Sequence, residues 1–137
     1  MADGTSYQSR EQLERQYGIP PDRFCGLSAE EMSRAIVAHD SGPRKPGEPV
    51  GYWPAGSADT RRAWLREAFG PEADVEALRL RVQFFMGRLD EQLRVDWMLD
   101  NHEFDRAVRD GLDRLYPDLS ADARTVIAGN YSYSHAK

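Results

Sequence analysis

The sequence predicts an all-α fold, in which five or six helices form a single-domain bundle around a long central helix. Apolar residues recur at steps of three and four along most of the chain, which is the period of a helix with one buried side. Capping residues precede several of these segments. No segment alternates apolar and polar residues as a strand does. With 137 residues, of which 40% are hydrophobic and 30% charged, one domain covering residues 1–137 is expected.

The first two helices are predicted by capping boxes. Ser9 is followed three residues later by Gln12, and Ser28 is followed in the same way by Glu31. A hydroxyl at the cap and a carboxyl or amide three residues on satisfy the free N–H groups of a first helical turn. The second helix is expected to end at about residue 38.

A long Gly/Pro-rich loop is predicted over residues 39–56, because this stretch holds four glycines and four prolines. Neither a helix nor a central strand tolerates that density. Loops of this length in compact domains tend to be functional or disordered. Tyr52 and Trp53 argue against disorder, since two large rings gain free energy by docking on the protein.

Two further helices follow the loop. Ser57 or Asp59 is suited to cap the first of them, and Gly70 ends it. The second is expected to be the longest helix, over residues 74–99. Its main apolar side is formed by Val75, Leu78, Val82, Phe85, Leu89 and Leu93. A second apolar side is formed by Leu80, Phe84, Val95 and Met98.

Two helices complete the chain. Asp100 and Glu103 have capping-box spacing before one helix, and Ser120 begins another. Gly129 and Asn130 are expected to end the last helix with a left-handed cap. The ends of the chain, residues 1–7 and 131–137, are expected to be flexible.

Charge and composition exclude several function classes. The net charge is −5 and no block is basic, so we expect no nucleic-acid partner. No apolar run is long enough to cross a bilayer, and residues 1–7 do not resemble a signal peptide, so we expect no membrane association. The single cysteine, Cys25, agrees with a reducing compartment, and we expect a cytoplasmic protein.

Motifs for metals and cofactors are absent from the sequence, and we expect neither. The glycines of the loop do not form a phosphate-binding pattern. The stretch 96–103 is the one segment dense in potential ligands, but Asp100 and Glu103 are needed there as helix caps. Cys25 precedes a helix N-terminus, which lowers a thiol pKa, although a buried cysteine also packs as a small hydrophobe. We favour the structural role.

The candidate binding residues are Tyr52, Trp53, Arg61, Arg62, Leu80 and Phe84. The first four combine aromatic rings with two cations, as protein interfaces often do. The alternative is that the rings are buried anchors and the arginines are exposed. Leu80 and Phe84 lie on the second apolar side of the long helix. We expect this side to be covered by the first helix, the C-terminal tail or a partner chain.

The run Tyr52-Trp53-Pro54, followed by a helix that contains Trp64 and ends near Gly70, resembles an element of the small acidic helical immunity proteins that neutralise nuclease bacteriocins. The resemblance covers this stretch alone. The long helix from Asp74 has no counterpart in that family, and we do not assign the chain to it.

The favoured function is a non-enzymatic protein-binding module, which acts as an inhibitor or immunity-type partner or as an accessory subunit in a homo- or hetero-oligomer. The alternative is a small enzyme, or an enzyme subunit, with a polar inter-helix pocket built from His39 and residues 96–103. A transcription regulator would need an outward basic recognition helix, and the alternating charges of residues 103–116 argue against one.

Overall fold

A computed structural model describes residues 9–44 and 46–136, and this part of the chain contains six helices and no strand. The predicted all-α class is therefore confirmed. The segment 1–7, expected to be flexible, lies outside the described residues. The helices are α1 (Arg10–Gln16), α2 (Ala29–Ser41), α3 (Ala58–Phe69), α4 (Val75–Leu93), α5 (Asn101–Leu115) and α6 (Ala121–Ala136).

Both predicted capping boxes form. The N–H of Gln12 donates to Ser9 Oγ at 3.2 Å, and the N–H of Ser9 donates to Gln12 Oε1 at 2.8 Å. Ser28 and Glu31 exchange the same two bonds at 3.0 and 2.9 Å. Ser57, rather than Asp59, caps α3. Local side-chain chemistry therefore sets where these helices begin.

Helix α2 lies inside the bundle, where it packs against α3, α4 and α6. Its inner side, with Met32, Ala35 and Ile36, is fully buried. Helices α5 and α6 pack against each other, and α4 also contacts α3 and α5. The remaining core comes from α3 to α6 and from buried residues of the connecting segments, including Phe24 and Leu119, whereas α1 contributes no buried residue.

The main apolar side of α4 faces the core, as predicted. Five of its six residues are buried, and Leu78 is partly buried. Phe85 is the centre of an aromatic cluster, with its ring centroid 5.9 Å from Phe24 and 5.0 Å from Tyr116. Such ring contacts add to the free energy gained by burial.

Helix α1 is attached to the bundle by an arginine of α4. Arg88 pairs with Glu14 of α1 at 2.7 Å. The same guanidinium donates to the carbonyl of Asp22 at 2.8 Å and to that of Pro20 at 3.0 Å. These carbonyls belong to the irregular segment between α1 and α2, and Arg88 therefore adds two hydrogen bonds from α4 to those within the segment itself.

The expected continuation of α4 to residue 99 is wrong, because the helix ends at Leu93. Arg94 adopts a left-handed conformation with φ 49° and ψ 49°. Leu93 packs so closely on Gly111 of α5 that a Cβ on Gly111 would overlap with Leu93 Cδ2. Val95 and Met98 therefore do not continue a second side of α4, and Met98 is 90% exposed.

The expected end of α6 at Gly129 and Asn130 is also wrong, because the helix continues to Ala136. Gly129 has a packing role instead: a Cβ there would lie 3.2 Å from the Cβ of Tyr52. Beyond this point Tyr131 is buried and its hydroxyl donates to Asp90. Tertiary contacts thus override the weak local stop signal.

Helix α2 is three residues longer than predicted, since His39, Asp40 and Ser41 form its last turn and are buried. Gly42 caps the C-terminus of the helix with a φ of 72° and a ψ of −172°. This is a conformation that favours glycine. From Gly42 to Ser57 the described residues have no regular secondary structure.

Truncation of the α4 core face should destabilise the protein. Phe85→Ala and Leu89→Ala each remove a fully buried side chain, and each should lower the free energy of unfolding by about 2–5 kcal/mol. Gln83→Ala, at an exposed position of the same helix, is the control and should change it by less than about 0.5 kcal/mol. Urea denaturation measures all three. Losses below about 1 kcal/mol for both core variants would show that the assigned core face is wrong.

Candidate functional site

An open pocket of about 950 Å³ lies between α2, α3, the loop after α2 and the segment that leads into α6. Its α2 wall is a stripe of neighbouring pairs one helical turn apart, Ala29 and Glu30, Ser33 and Arg34, and Val37 and Ala38. Residues four apart lie on one side of a helix. Since the opposite side of α2 carries the core, this helix separates the core from the pocket, which we call the Trp64 pocket.

The α3 wall of the pocket is formed by Trp64, Glu67 and Ala68. Trp64 packs against the backbone of Gly42. A Cβ on Gly42 would lie 2.7 Å from Trp64 Cε2 and 2.9 Å from two neighbouring ring carbons. Because Cε2 is shared by the two rings of the indole and carries no hydrogen, Gly42 lies against the face of the indole and not against its edge. Gly42 thus ends α2 and also gives Trp64 its place in the wall.

The remaining walls of the pocket come from the loop and from residues 118–122. Arg44 donates to the carbonyl of Glu48 at 3.1 Å and lies 3.9 Å from the carboxylate of Asp122. At the base, the N–H of Ser120 donates to Ser33 Oγ at 2.9 Å. These bonds connect the loop to the start of α6 and the start of α6 to α2.

The lining of the pocket is acidic. Among its described residues, five carboxylates face two guanidinium groups. Asp118 is paired with Arg23, which holds the pKa of that carboxyl below its ordinary value. The guanidinium of Arg34 lies over the Phe69 ring at 4.3 Å. Within residues 9–44 and 46–136, Glu30 and Glu67 have no ion-pair partner.

The last turn of α2, beside the pocket, holds a buried polar cluster of His39, Asp40 and Arg61. His39 Nδ1 lies 2.6 Å from Asp40 Oδ1, so Nδ1 carries the proton. Arg61 of α3 donates to the same carboxylate oxygen at 2.9 Å and to the His39 carbonyl at 2.5 Å. The N–H of Trp53 donates to the Asp40 carbonyl at 2.7 Å. The cluster therefore connects α2, α3 and the loop.

None of the six predicted binding residues lines the Trp64 pocket. Tyr52 packs against Tyr133 with ring centroids 5.5 Å apart, whereas Trp53 is 57% exposed. Arg61 faces the buried Asp40, and Arg62 pairs with Asp59 and Glu76, each at 2.6 Å. The structure thus brings Trp53 and Arg61 together at Asp40, where the backbone N–H of Trp53 donates to the carbonyl and Arg61 donates to the carboxylate. Arg61 and Arg62 both already have intramolecular partners.

The other two predicted binding residues, Leu80 and Phe84, are partly buried against the core. The ring of Phe84 lies 6.2 Å from that of Tyr17, which follows α1. The same chain therefore covers part of this surface. A role for it in association stays a prediction.

The residues expected to form the polar pocket of the enzyme alternative have neighbours other than those predicted. The histidine beside residues 96–103 is His135, which stacks on Phe104 at 4.0 Å. Its Nδ1 lies 2.7 Å from Asn101 Oδ1, and its Nε2 lies 2.9 Å from the carbonyl of Leu99. His39 lies instead beside Asp40 and Arg61. The contacts of His135 anchor the C-terminal turn of α6.

Cys25 is fully buried, and burial raises the pKa of its thiol. This direction is opposite to the lowering expected from the nearby helix N-terminus, because loss of hydration of the thiolate is the largest influence on this thiol. A buried thiol with a raised pKa is a poor nucleophile.

The Trp64 pocket could not be predicted from the sequence, because its lining residues do not form a recognisable motif. Small residues recur every fourth position on α2, at Ala29, Ser33 and Val37. This stripe was a usable signal, but it is equally typical of a close helix–helix contact. The loop and residues 118–122 have no pattern that indicates their proximity.

No family model matches this chain, and neither a curated protein nor a solved structure matches it. Among the described residues, no group of three histidine, cysteine or acidic side chains is arranged to hold a metal ion. None of the helices in that part of the chain has the length and apolar character needed to span a bilayer.

Gly42→Ala should destabilise the protein more than Gly70→Ala does. Both glycines end helices at positive φ, 72° and 100°, so both variants strain the backbone. Only at Gly42 does the new methyl meet the indole of Trp64, whereas nothing lies within 4 Å at Gly70. We expect an additional loss of about 1–3 kcal/mol for Gly42→Ala in urea denaturation. Equal losses would show that Trp64 moves aside without cost.

Arg61→Met should lower the free energy of unfolding by about 3–5 kcal/mol, because it leaves the buried carboxylate of Asp40 without its cation. The double variant Asp40→Asn with Arg61→Met should recover part of this loss. Arg66→Met, at an exposed position of the same helix, is the matched control. Urea denaturation of the wild type, of Asp40→Asn alone and of these three variants measures the coupling. A cost for Arg61→Met no larger than that of the control would contradict the assigned role of the pair.

Proposed function

We propose that this protein is a non-enzymatic binding module that accepts an extended segment of another protein in the Trp64 pocket. In the cell it would act as an inhibitor-type partner or as an accessory subunit of a complex. The observation that carries this proposal is an open pocket of about 950 Å³ whose walls combine small apolar side chains and the indole of Trp64 with charged groups. Ligand sites commonly have volumes of about 300–1,000 Å³.

The composition of the pocket favours binding over catalysis. Its described lining residues include neither histidine nor cysteine. The His39–Asp40 pair is the arrangement closest to a general base, but His39 is 5% exposed and does not line the pocket. The alternative of a small enzyme with a polar inter-helix pocket therefore has less support than a binding module.

The long Gly/Pro-rich loop has a direct part in this proposal. One wall of the pocket includes Gly42, Pro43 and Pro46. Prolines in an extended loop lose little conformational entropy when a ligand orders the loop. Arg44 holds this wall near the start of α6. The loop would thus border the bound segment while the helices α2 and α3 provide rigid walls.

Trp53 is a second contact candidate on the same protein. Its backbone is fixed by the hydrogen bond to Asp40, whereas its side chain is 57% exposed. Exposed tryptophans are enriched among residues that dominate binding energy. We propose that a partner engaged in the pocket also contacts Trp53, in a homo- or hetero-oligomer.

Blocking the pocket should abolish binding. Peptides selected from a random library displayed on phage, with the purified chain as bait, would serve as ligands for fluorescence anisotropy. Ala68→Trp places a large ring at an exposed position of the pocket wall, and it should weaken binding of the selected peptides at least about tenfold, since the ring occupies the volume that a ligand needs.

The control for this experiment is Ala63→Trp, at an exposed position of α3 outside the pocket, and it should leave binding unchanged. Both variants should retain the wild-type melting temperature. Failure to select any peptide, or equal binding by the two variants, would show that the pocket does not bind a protein segment.

A further inference from the structure

The charge of the Trp64 pocket indicates the chemistry of its occupant. After internal pairing, Glu30 on α2 and Glu67 on α3 are left without a cation among the described residues. They lie on different walls of the pocket, one on α2 and the other on α3. On the α2 wall the guanidinium of Arg34 lies over the Phe69 ring and pairs with no carboxylate among the described residues. An acidic segment would meet repulsion from Glu67 on the α3 wall, whereas a basic segment would find an unpaired carboxylate on each of the two helices.

Helix α3 presents an aromatic ring and a carboxylate one turn apart. Trp64 and Glu67 are three residues apart and both line the pocket, so they lie on one side of the helix. A planar guanidinium suits such a pair better than an ammonium does, because it stacks on an aromatic ring and forms directed hydrogen bonds to a carboxylate at once.

The protein already contains this combination at the edge of the pocket. The guanidinium of Arg23 lies 4.7 Å from the centre of the Tyr116 ring, and the same group pairs with Asp118. Asp118 is itself a lining residue. An arginine held between a ring and a carboxylate is therefore compatible with the local geometry of this surface.

From these observations we infer that the partner segment is basic and that one of its arginine side chains lies between Trp64 and Glu67. This inference rests on the proposed function. The chain's net charge of −5 would also draw a basic partner toward the protein before contact. A basic protein segment is complementary to the acidic lining of the pocket, whereas the phosphates of nucleic acid would be repelled by it.

The test uses a fluorescein-labelled peptide in which arginine alternates with leucine. Its counterpart carries citrulline at every arginine position, which keeps the shape of the side chain and removes its charge. Anisotropy should give a dissociation constant at least about tenfold lower for the arginine peptide, since charge-assisted hydrogen bonds are about twice as strong as neutral ones. The difference should shrink as salt is added. A lysine peptide should bind with intermediate strength.

Variants of the protein locate the effect. Glu67→Gln should weaken the arginine peptide about tenfold and leave the citrulline peptide unchanged. Glu72→Gln, at an exposed position outside the pocket, carries the same change of charge and should have little effect. Trp64→Leu should weaken both peptides, but Trp64 also packs on Gly42, so Glu67→Gln is the variant on which the inference depends.

The outcomes separate this inference from the proposed function. Equal binding of the arginine and citrulline peptides, or equal effects of Glu67→Gln and Glu72→Gln, would overturn the basic partner. If library-selected peptides still lose binding in Ala68→Trp, the binding module would survive that result. Loss of the arginine peptide's binding in Ala68→Trp but not in Ala63→Trp, together with the citrulline difference, would support both.

Discussion

The burial of Asp40 is the constraint on which the arrangement of α2, α3 and the loop depends. A carboxylate that is 3% exposed is tolerated inside a protein only with a cation and further hydrogen bonds. Arg61 provides the cation from α3, and the His39 ring donates a hydrogen bond from the same turn of α2. The position of α3 relative to α2 is therefore determined by the cation that Asp40 requires, in addition to apolar contacts.

Other arginines connect separate segments of the fold by donating hydrogen bonds to backbone carbonyls. Arg88 donates to two carbonyls of the segment between α1 and α2, and Arg81 donates to the carbonyl of Cys25 at 3.0 Å. Buried or half-buried carbonyls in irregular segments need donors, and a guanidinium supplies several in a fixed plane. The helices thus satisfy the backbone of the loops through long side chains, which allows irregular segments to pack tightly on the bundle.

Helix starts could be predicted from the sequence because their chemistry is local: Ser9 and Ser28 need only the residues three positions on. The ends of α4 and α6 could not, because they depend on contacts between distant segments. Helix α4 ends at the residue that packs on Gly111, and Gly129 accommodates Tyr52 instead of ending α6. The pocket escaped prediction for the same reason, since its walls come from three separate parts of the chain, residues 29–48, 64–68 and 118–122.

Gly42 couples the stability of the bundle to the shape of the pocket. It ends the helix turn that buries Asp40, and its missing side chain leaves room for the face of Trp64. A disturbance of the polar cluster that unwinds this turn would move Gly42 and release the indole from its support. Because Arg61 and Trp64 both belong to α3, the pocket wall and the cation of Asp40 move as one element. Binding to the pocket would therefore stabilise the same contacts that fix α3 on α2.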